Sequence, residues 1–223
     1  MKGLLTKDFK LLMGQKNFFA AVFVVAIILL ISGTGGAAAS ASYVVCYVGF
    51  ASSFFVLSTI GYDEYDNGNA YLFTLPFRRS TYAVEKYIFG LSMGILTMFI
   101  MLVIEGAYFR VQDISADWTM LLVTFGSGAA CLAGFLALMI PFQLKFGAEK
   151  GRIALIAVFM AVFVVVYGLA KALDANIMNL NRLIETGQKL GTAGVAAVIA
   201  LIAVAALVVS AGISTRILSK KEF

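Results

Sequence analysis

Few of the residues that could do chemistry are present, and those few are isolated. The chain has 223 residues, no histidine and two cysteines, Cys46 and Cys131, each inside an apolar run. Histidine is the commonest general base and neutral metal ligand, and two separate thiols predict small core side chains rather than a disulfide framework or a metal site. Ser127 lies between Gly126 and Gly128. A nucleophilic serine needs a partner base, so this segment is interpreted as a close helix contact.

Nucleotide chemistry is also missing from the chain itself. A P-loop requires glycine, four residues and then Gly-Lys-Ser/Thr, and the nearest segments, 147–152 and 187–192, do not have that spacing. We therefore expect no catalytic residues, no metal site and no cofactor bound by this chain.

Composition assigns the chain to the membrane. Hydrophobic residues make up 61% and charged residues 13%, and the mean hydropathy is +0.96, whereas soluble domains carry about 25% charged residues. A membrane-spanning helix needs about 20 mostly apolar residues. We predict an all-α, polytopic protein that forms one transmembrane domain over residues 1–223, with six spans at 18–32, 37–60, 88–109, 118–142, 153–170 and 192–213.

The distribution of basic residues predicts the orientation of these spans. Of the 17 lysines and arginines, 13 lie in the N-terminus, the 61–87 and 143–152 loops and the C-terminal tail. Cytoplasmic segments are enriched in Lys and Arg, so both termini are predicted to be cytoplasmic and the protein to lie in a plasma membrane. The net charge of +5 then faces anionic lipid and requires no nucleic-acid partner.

Two segments outside the spans have amphipathic patterns. In residues 1–16, Leu5, Phe9 and Leu12 share a helical face, while Lys2, Lys7 and Lys10 can reach lipid headgroups. This pattern predicts a short interfacial helix before the first span. Residues 171–191 are predicted to form an amphipathic segment on the extracellular surface, with an ordinary polar connector as the alternative.

The 61–87 loop is the most informative segment. It is acidic first and basic later, and Ala70, Phe73 and Phe77 fall on one helical face around Pro76. Because proline disfavours the α conformation at the residue before it, a helix should end or kink at Leu75. A short rigid element of this kind suits insertion into a partner's groove; the alternative is a helix that only rests at the membrane surface.

Four short motifs make the chain resemble the ABC-2-type permeases, the membrane subunits of ATP-binding-cassette exporters. They are Leu5-x-Lys7-Asp8, Tyr62-Asp63-Glu64, Leu75-Pro76-x-x-Arg79 and Lys86-Tyr87 at the start of the third span. The chain is most similar to the small permeases of Gram-positive bacteria that export amphipathic peptides, of the phenol-soluble-modulin or bacteriocin type.

The resemblance implies partners and site residues. Separate ATPase subunits would bind ATP and Mg²⁺, a second permease copy would complete a homodimer or heterodimer, and the 61–87 loop would dock on the ATPase in a bacterial cytoplasmic membrane. The residues it assigns to ATPase coupling are Asp63, Glu64, Phe73, Leu75, Pro76, Arg79 and Lys86. The alternative for Arg79 and Lys86 is that they only anchor the loop to headgroups.

A substrate path is predicted from two aromatic stripes and one acid. Tyr43, Tyr47, Phe50 and Phe54 recur along one face of the second span, and Phe159, Phe163 and Tyr167 along one face of the fifth. Family members line their dimer interface with these two spans; lipid-facing packing is the alternative. Glu105 is the one ionisable residue inside a predicted span, and it is interpreted either as a substrate contact or as a partner of Arg110 or Lys171.

Other functions and contacts stay open at this stage. An ion-coupled secondary carrier could use Glu105, and a non-transporting scaffold or immunity protein could sequester a toxic peptide. Two pairs of small residues, Gly90 with Gly94 and Ala130 with Gly134, predict close helix contacts within one subunit or between two.

Overall fold

Long apolar runs fold as helices because backbone groups left unpaired in lipid cost several kcal/mol each. The computed structural model describes the backbone of residues 2–32, 37–65, 68–112, 118–174 and 180–221, and their side chains except those of 2, 37–42, 118, 120 and most of 148–196. Every regular element in these ranges is helical: α1 (Lys2–Gly14), α2 (Lys16–Ser32), α3 (Ala37–Glu64), α4 (Gly68–Leu72), α5 (Arg79–Val111), α6 (Trp118–Asp174) and α7 (Leu180–Lys220).

The helices confirm an all-helical, multi-pass membrane protein. Within the described residues, four are long and apolar enough to cross a membrane, and α1 with α2, which meet at a 65° bend, form a further candidate. The predicted fifth span, 153–170, lies in the second part of α6, and most of its side chains are outside the described set. The count of six spans and the cytoplasmic placement of both termini therefore stay predictions.

α3, α5, α6 and α7 form the centre of the bundle. α3 packs against α5 and α6, and α7 packs against the same two helices from another side. α2 lies at the periphery against α3 and buries Val22, Ala26 and Leu30, which are spaced four residues apart. Because most other α2 side chains are exposed apolar groups, this helix presents its remaining surface to lipid.

Glycines let the central helices approach closely. A Cβ placed on Gly94 would lie 2.3 Å from Leu132 Cδ1, and one on Gly90 would lie 3.1 Å from both methyl carbons of Leu136. The predicted Gly90–Gly94 contact is therefore made within the subunit, against α6. Gly134 has no atom within 4 Å of the corresponding position, so it makes no comparable contact among the described residues.

The predicted 61–87 loop is much shorter than expected. α3 continues through Glu64 and α5 begins at Arg79, so Asp63, Glu64, Arg79 and Lys86 lie on helices. With 33 residues, α5 is about 50 Å long, well beyond the roughly 30 Å of a hydrocarbon core. The hydropathy pattern placed the start of this span at Ile88 because of the charges before it. Those charges are accommodated inside the bundle, as described below.

Two other predictions concern the N-terminal helix and the 171–191 segment. α1 is a separate helix, as the amphipathic pattern predicted. From Leu180 onwards the chain is the beginning of α7, continuous with the last span. Residues 175–179 and the side chains of 180–191 lie outside the described set, so the surface position of the 171–191 segment stays a prediction.

Replacing Gly94 with valine should lower stability by about 1–3 kcal/mol, the usual cost of inserting atoms into a filled contact. Gly106→Val in the same helix is the matched control, because no atom lies within 4 Å of its added Cβ. Thermal unfolding of the two detergent-solubilised variants checks this. Equal midpoints for both would contradict the assigned α5–α6 contact.

Candidate functional site

The connection between α3 and α5 contains the short helix α4, and a series of tight turns follows it. After α4, the amides of Phe73, Thr74 and Leu75 donate hydrogen bonds to carbonyls three or four residues back, and Phe77 N donates to Leu75 O at 2.7 Å. This last bond closes a three-residue turn around Pro76. The predicted end of the helix at Leu75 is therefore nearly correct: regular helix stops at Leu72, and the proline holds the chain in the turn that follows.

This connection has an inner and an outer side. On the inner side, the Phe73 ring lies 5.5 Å from the Tyr82 ring and 6.0 Å from the Phe77 ring. On the outer side are several exposed residues, four of which we call the coupling surface: Tyr71, Leu75, Pro76 and Arg78. Of the predicted coupling residues in this segment, Leu75 and Pro76 are accessible to a partner, while Phe73 is packed behind them.

Arg79 joins the coupling surface to the end of α7. Its Nη1 donates hydrogen bonds to Leu218 O at 2.9 Å and Lys221 O at 2.8 Å, and its guanidinium carbon lies 5.7 Å from the Phe73 ring centre. The last carbonyls of a helix have no partner within it and carry partial negative charge. Arg79 satisfies them with a planar cation, so it belongs to the bundle and is not only a headgroup anchor.

Glu64 makes a second connection to the same end of α7. Lys221 Nζ lies 3.1 Å from Glu64 Oε1 and donates to Leu144 O at 3.2 Å. The kink of α6 is beside them: Gly147 has φ 78°, and a Cβ there would lie 3.0 Å from Glu64 Oε2. Glycine suits this position because of both its backbone conformation and the space.

A buried lysine connects α1, α3 and α5 at the end of the bundle where α5 begins and α7 ends. We call this end the base. Lys86 of α5 has a fully buried side chain, and its Nζ lies 2.5 Å from Asp8 Oδ2 of α1 and 3.0 Å from Asp63 Oδ2 of α3. It also donates to Thr59 Oγ1 at 3.2 Å and lies 5.1 Å from the centre of the Tyr82 ring. Burial argues against the alternative that Lys86 anchors the loop to lipid headgroups, while its assignment to ATPase coupling stays a prediction.

The charged side chains around Lys86 nearly balance one another. Lys7, which the α1 pattern assigned to lipid headgroups, pairs within the protein with Asp63 and, at 3.3 Å, with Asp8. Glu85 is fully buried and lies 3.8 Å from Lys86 Nζ, and neither of its oxygens has a hydrogen bond among the described groups. We call Lys7, Asp8, Asp63, Glu85 and Lys86 the base cluster.

Hydroxyl groups also tie α5 to α7. Tyr87 Oη lies 2.5 Å from Ser210 Oγ and 2.8 Å from Ser214 Oγ, and Ser210 also donates to Ala137 O of α6. Tyr87 was singled out in the sequence only as part of the Lys86-Tyr87 motif, and the two serines were not singled out at all. The available signal was the spacing of Ser210 and Ser214, which places two hydroxyls on one face of an otherwise apolar helix.

The first aromatic stripe divides into a packed part and an open part. Phe50 and Phe54 form a ring cluster with Phe135 of α6, with centroids 4.5 and 5.2 Å from it. Nearer the start of α3, a partly open cavity of about 260 Å³ is lined by Tyr43, Cys46, Tyr47, Phe50, Gly128, Cys131 and Leu132. We call it the aromatic groove. Cys131 is exposed and Cys46 half-buried, so the prediction that both are core thiols is wrong for Cys131.

Glu105 of α5 lies within the bundle near this groove. Its side chain is fully buried, and neither carboxyl oxygen has a hydrogen-bond partner among the described residues. It pairs with neither predicted partner: Arg110 is exposed, and Lys171 Nζ lies over the Tyr167 ring at 5.5 Å. An uncompensated acid is thus buried in the membrane-spanning part of the bundle.

The second stripe is open where it is described. Phe163 and Tyr167 are exposed and stack with their ring centroids 6.4 Å apart. The side chain of Phe159 lies outside the described residues. No group of three or more His, Cys, Asp and Glu side chains in the described set could hold a metal ion.

The long apolar helices define a multi-pass membrane protein, and comparison with known proteins gives its family. A model of the family described as ABC-2 family transporter protein matches residues 3–219, nearly the whole chain. The chain therefore belongs to the ABC-2 transporter family, as a membrane permease subunit of an ABC transporter with an ATP-binding-cassette ATPase as its partner. No curated protein and no solved structure was found to match.

Lys86→Met should destabilise the protein by about 3–5 kcal/mol, because it leaves buried carboxylates without their main counter-charge. Asp8→Asn in the same molecule should recover part of this loss. A double-mutant cycle of thermal unfolding measures the coupling. Lys10→Met is the control, since Lys10 is exposed on the same helix as Asp8. Additive effects of the two substitutions would contradict a direct Asp8–Lys86 pair.

Proposed function

We propose that this chain is the permease subunit of an exporter of amphipathic peptides or other hydrophobic compounds, driven by separate ATPase subunits and completed by a second permease copy. The observation that carries the cargo assignment is the aromatic groove, which has no charged side chain among its described lining residues. Apolar cargo is bound by apolar and aromatic surface with few polar groups. An ion or a sugar would instead require convergent polar groups.

The substrate path in this proposal uses the open aromatic residues. Tyr43 and Tyr47 line the groove, and Phe163 and Tyr167 present an exposed stacked pair on α6. Phe50 contributes one wall while it packs on Phe135. Two such surfaces that face each other across a dimer would enclose a conduit. Phe159 belongs to the same predicted stripe as Phe163 and Tyr167.

Coupling to the ATPase is proposed to occur in two layers. The coupling surface contacts the ATPase, since Tyr71, Leu75 and Pro76 are exposed at the tip of the α3–α5 connection. Behind it, Phe73 and Arg79 pass displacement to α7. Asp63, Glu64 and Lys86 form the remaining ties, to α1 and α7. An ATPase that moves the connection thereby moves several helices together.

Family membership favours this proposal over an ion-coupled carrier, in which Glu105 would bind the coupling ion. A scaffold or immunity protein would not need a connection braced to two neighbouring helices. The proposed exporter predicts ATP-dependent movement of cargo only when the cognate ATPase is present, which reconstitution into proteoliposomes tests.

A double substitution, Tyr71→Ser with Leu75→Ser, should remove most co-purifying ATPase, at least about tenfold, while the thermal midpoint of the permease stays unchanged. Both side chains are exposed, and a few anchor residues, tyrosine prominent among them, carry most of the binding energy at interfaces. Co-purification with the cognate ATPase after co-expression measures this. Tyr43→Ser is the matched control, as it removes an equally exposed tyrosine outside the coupling surface.

Retained ATPase binding in the double variant would contradict the docking assignment. Arg79→Glu should differ from it by lowering both ATPase coupling and permease stability, because its guanidinium also satisfies the end of α7.

Tyr47→Ala should change which amphipathic peptides stimulate the ATPase, because it enlarges the groove, and it should also cost some stability because its ring packs against the buried cluster that includes Met101. Phe54→Ala should instead lower stability by up to about 3 kcal/mol, since its ring packs on Phe135. Peptide-stimulated ATP hydrolysis and thermal unfolding distinguish the two. An unchanged peptide preference in Tyr47→Ala would show that this part of the stripe is packing.

A further inference from the structure

The outer face of α1 belongs to neither the coupling surface nor the aromatic groove. α1 packs its leucines inward: Leu4 is buried, and Leu5 and Leu12 lie against the main core cluster. Phe9, which the sequence pattern grouped with the last two of these, is instead exposed together with Met13, four residues later. The bundle thus takes up the leucines of the helix and leaves a second, smaller apolar strip on the outside.

The exposed side of α1 also carries positive charge. Lys10 is exposed on α1, and Lys16 is exposed at the bend where α2 begins. Neither lysine has an ion pair among the described residues. Asp8 is the only acid in residues 1–32, and its side chain is fully buried in the base cluster. The outer face therefore combines apolar side chains with lysines and has no acid of its own.

The bend between α1 and α2 places this face at the membrane surface. α2 has 17 residues, which span about 26 Å, close to the thickness of a hydrocarbon core. α1 turns away from the direction of α2 by 65°, so with α2 across the bilayer it runs closer to the membrane plane than to the normal. Beside the bend, the exposed Tyr62 accepts a hydrogen bond from Gln15, and tyrosine is typical of the membrane–water interface.

The orientation of α1 is fixed from inside the bundle. Asp8 pairs with Lys86 of α5, and Lys7 pairs with Asp63 of α3. Rotation of α1 about its own axis would break these pairs. The outer face is therefore presented in one orientation, which lowers the ordering cost of binding a partner.

We infer that the outer face of α1 is a docking surface for anionic lipid, in which Phe9 and Met13 enter the outermost part of the acyl-chain region while Lys10 and Lys16 bind negatively charged headgroups. A basic helix with exposed apolar side chains binds a leaflet through both kinds of group, and each lysine at the surface adds to the preference for anionic lipid. The inference goes beyond the proposed function, because it requires neither a cargo nor an ATPase.

Quenching by brominated lipid tests this on the full chain. Phe9→Trp introduces an indole into the outer face, and Trp118→Phe removes the one native tryptophan. This parent protein is placed in nanodiscs of phosphatidylcholine with phosphatidylglycerol as the minor component. In one set the phosphatidylglycerol carries dibrominated chains, and in the other an equal amount of the phosphatidylcholine does. Quenching should show phosphatidylglycerol binding beside the indole at least about fivefold more tightly than phosphatidylcholine.

A pair of double variants isolates the two lysines. Lys10→Gln with Lys16→Gln should reduce the lipid preference to about one, while quenching by both lipids persists because the apolar strip remains. Lys145→Gln with Lys220→Gln is the matched control: it removes two other exposed lysines near the end of α7, but none from α1. It should keep the preference. Thermal unfolding in detergent checks that both double variants are folded.

Equal quenching by the two lipids in the parent protein would overturn the inference, and so would a preference that survives Lys10→Gln with Lys16→Gln. Loss of the preference in the matched control would overturn it as well, since overall charge would then be the cause. Absence of quenching by either lipid would show that α1 does not contact the bilayer. None of these outcomes involves transport, so the proposed function is tested separately.

Discussion

The ammonium group of Lys86 holds the base of the bundle together. It is fully buried and contacts carboxylates from α1 and α3, so separating α5 from either helix would break an ion pair inside the bundle. Removing one partner of such a pair costs several kcal/mol even where the intact pair contributes little net stability. The cluster therefore acts mainly by fixing the relative positions of the helices. In particular, it holds α1 onto the rest of the bundle.

The same end of the protein contains a second set of contacts, which converge on the end of α7. Arg79 binds its last carbonyls, and Lys221 pairs with Glu64 of α3. α5 carries a member of both sets, Arg79 at its first residue and Lys86 two turns later. In the proposed exporter, a helix that begins at the coupling surface and is tied to α1, α3 and α7 would transfer displacement to all of them. Movement of the connection around Pro76 would then reach the whole bundle.

The sequence was sufficient for features set by local patterns. Hydropathy located the helices, amphipathic spacing predicted α1, and the proline rule placed the end of the helix near Leu75 within three residues. It was insufficient for pairs distant in the chain, such as Lys86 with Asp8, 78 residues apart, because nothing local specifies which acid meets which base. Charge itself misled the assignment: it suggested that Lys86 was in a loop, whereas compensation by acids from other helices allows a lysine to be buried in α5.

Buried acids in this protein therefore fall into two groups, and the difference between them is informative. Asp8 and Asp63 are compensated within the chain, and such acids stabilise a structure without needing any ligand. Glu105 is deeper in the membrane-spanning region and is not compensated by the described residues. Folding alone gives no reason for that cost, since glutamine or an apolar residue would pack there more cheaply. In the proposed exporter, Glu105 is therefore the acid assigned to the substrate path, whereas Asp8 and Asp63 serve the ties between helices.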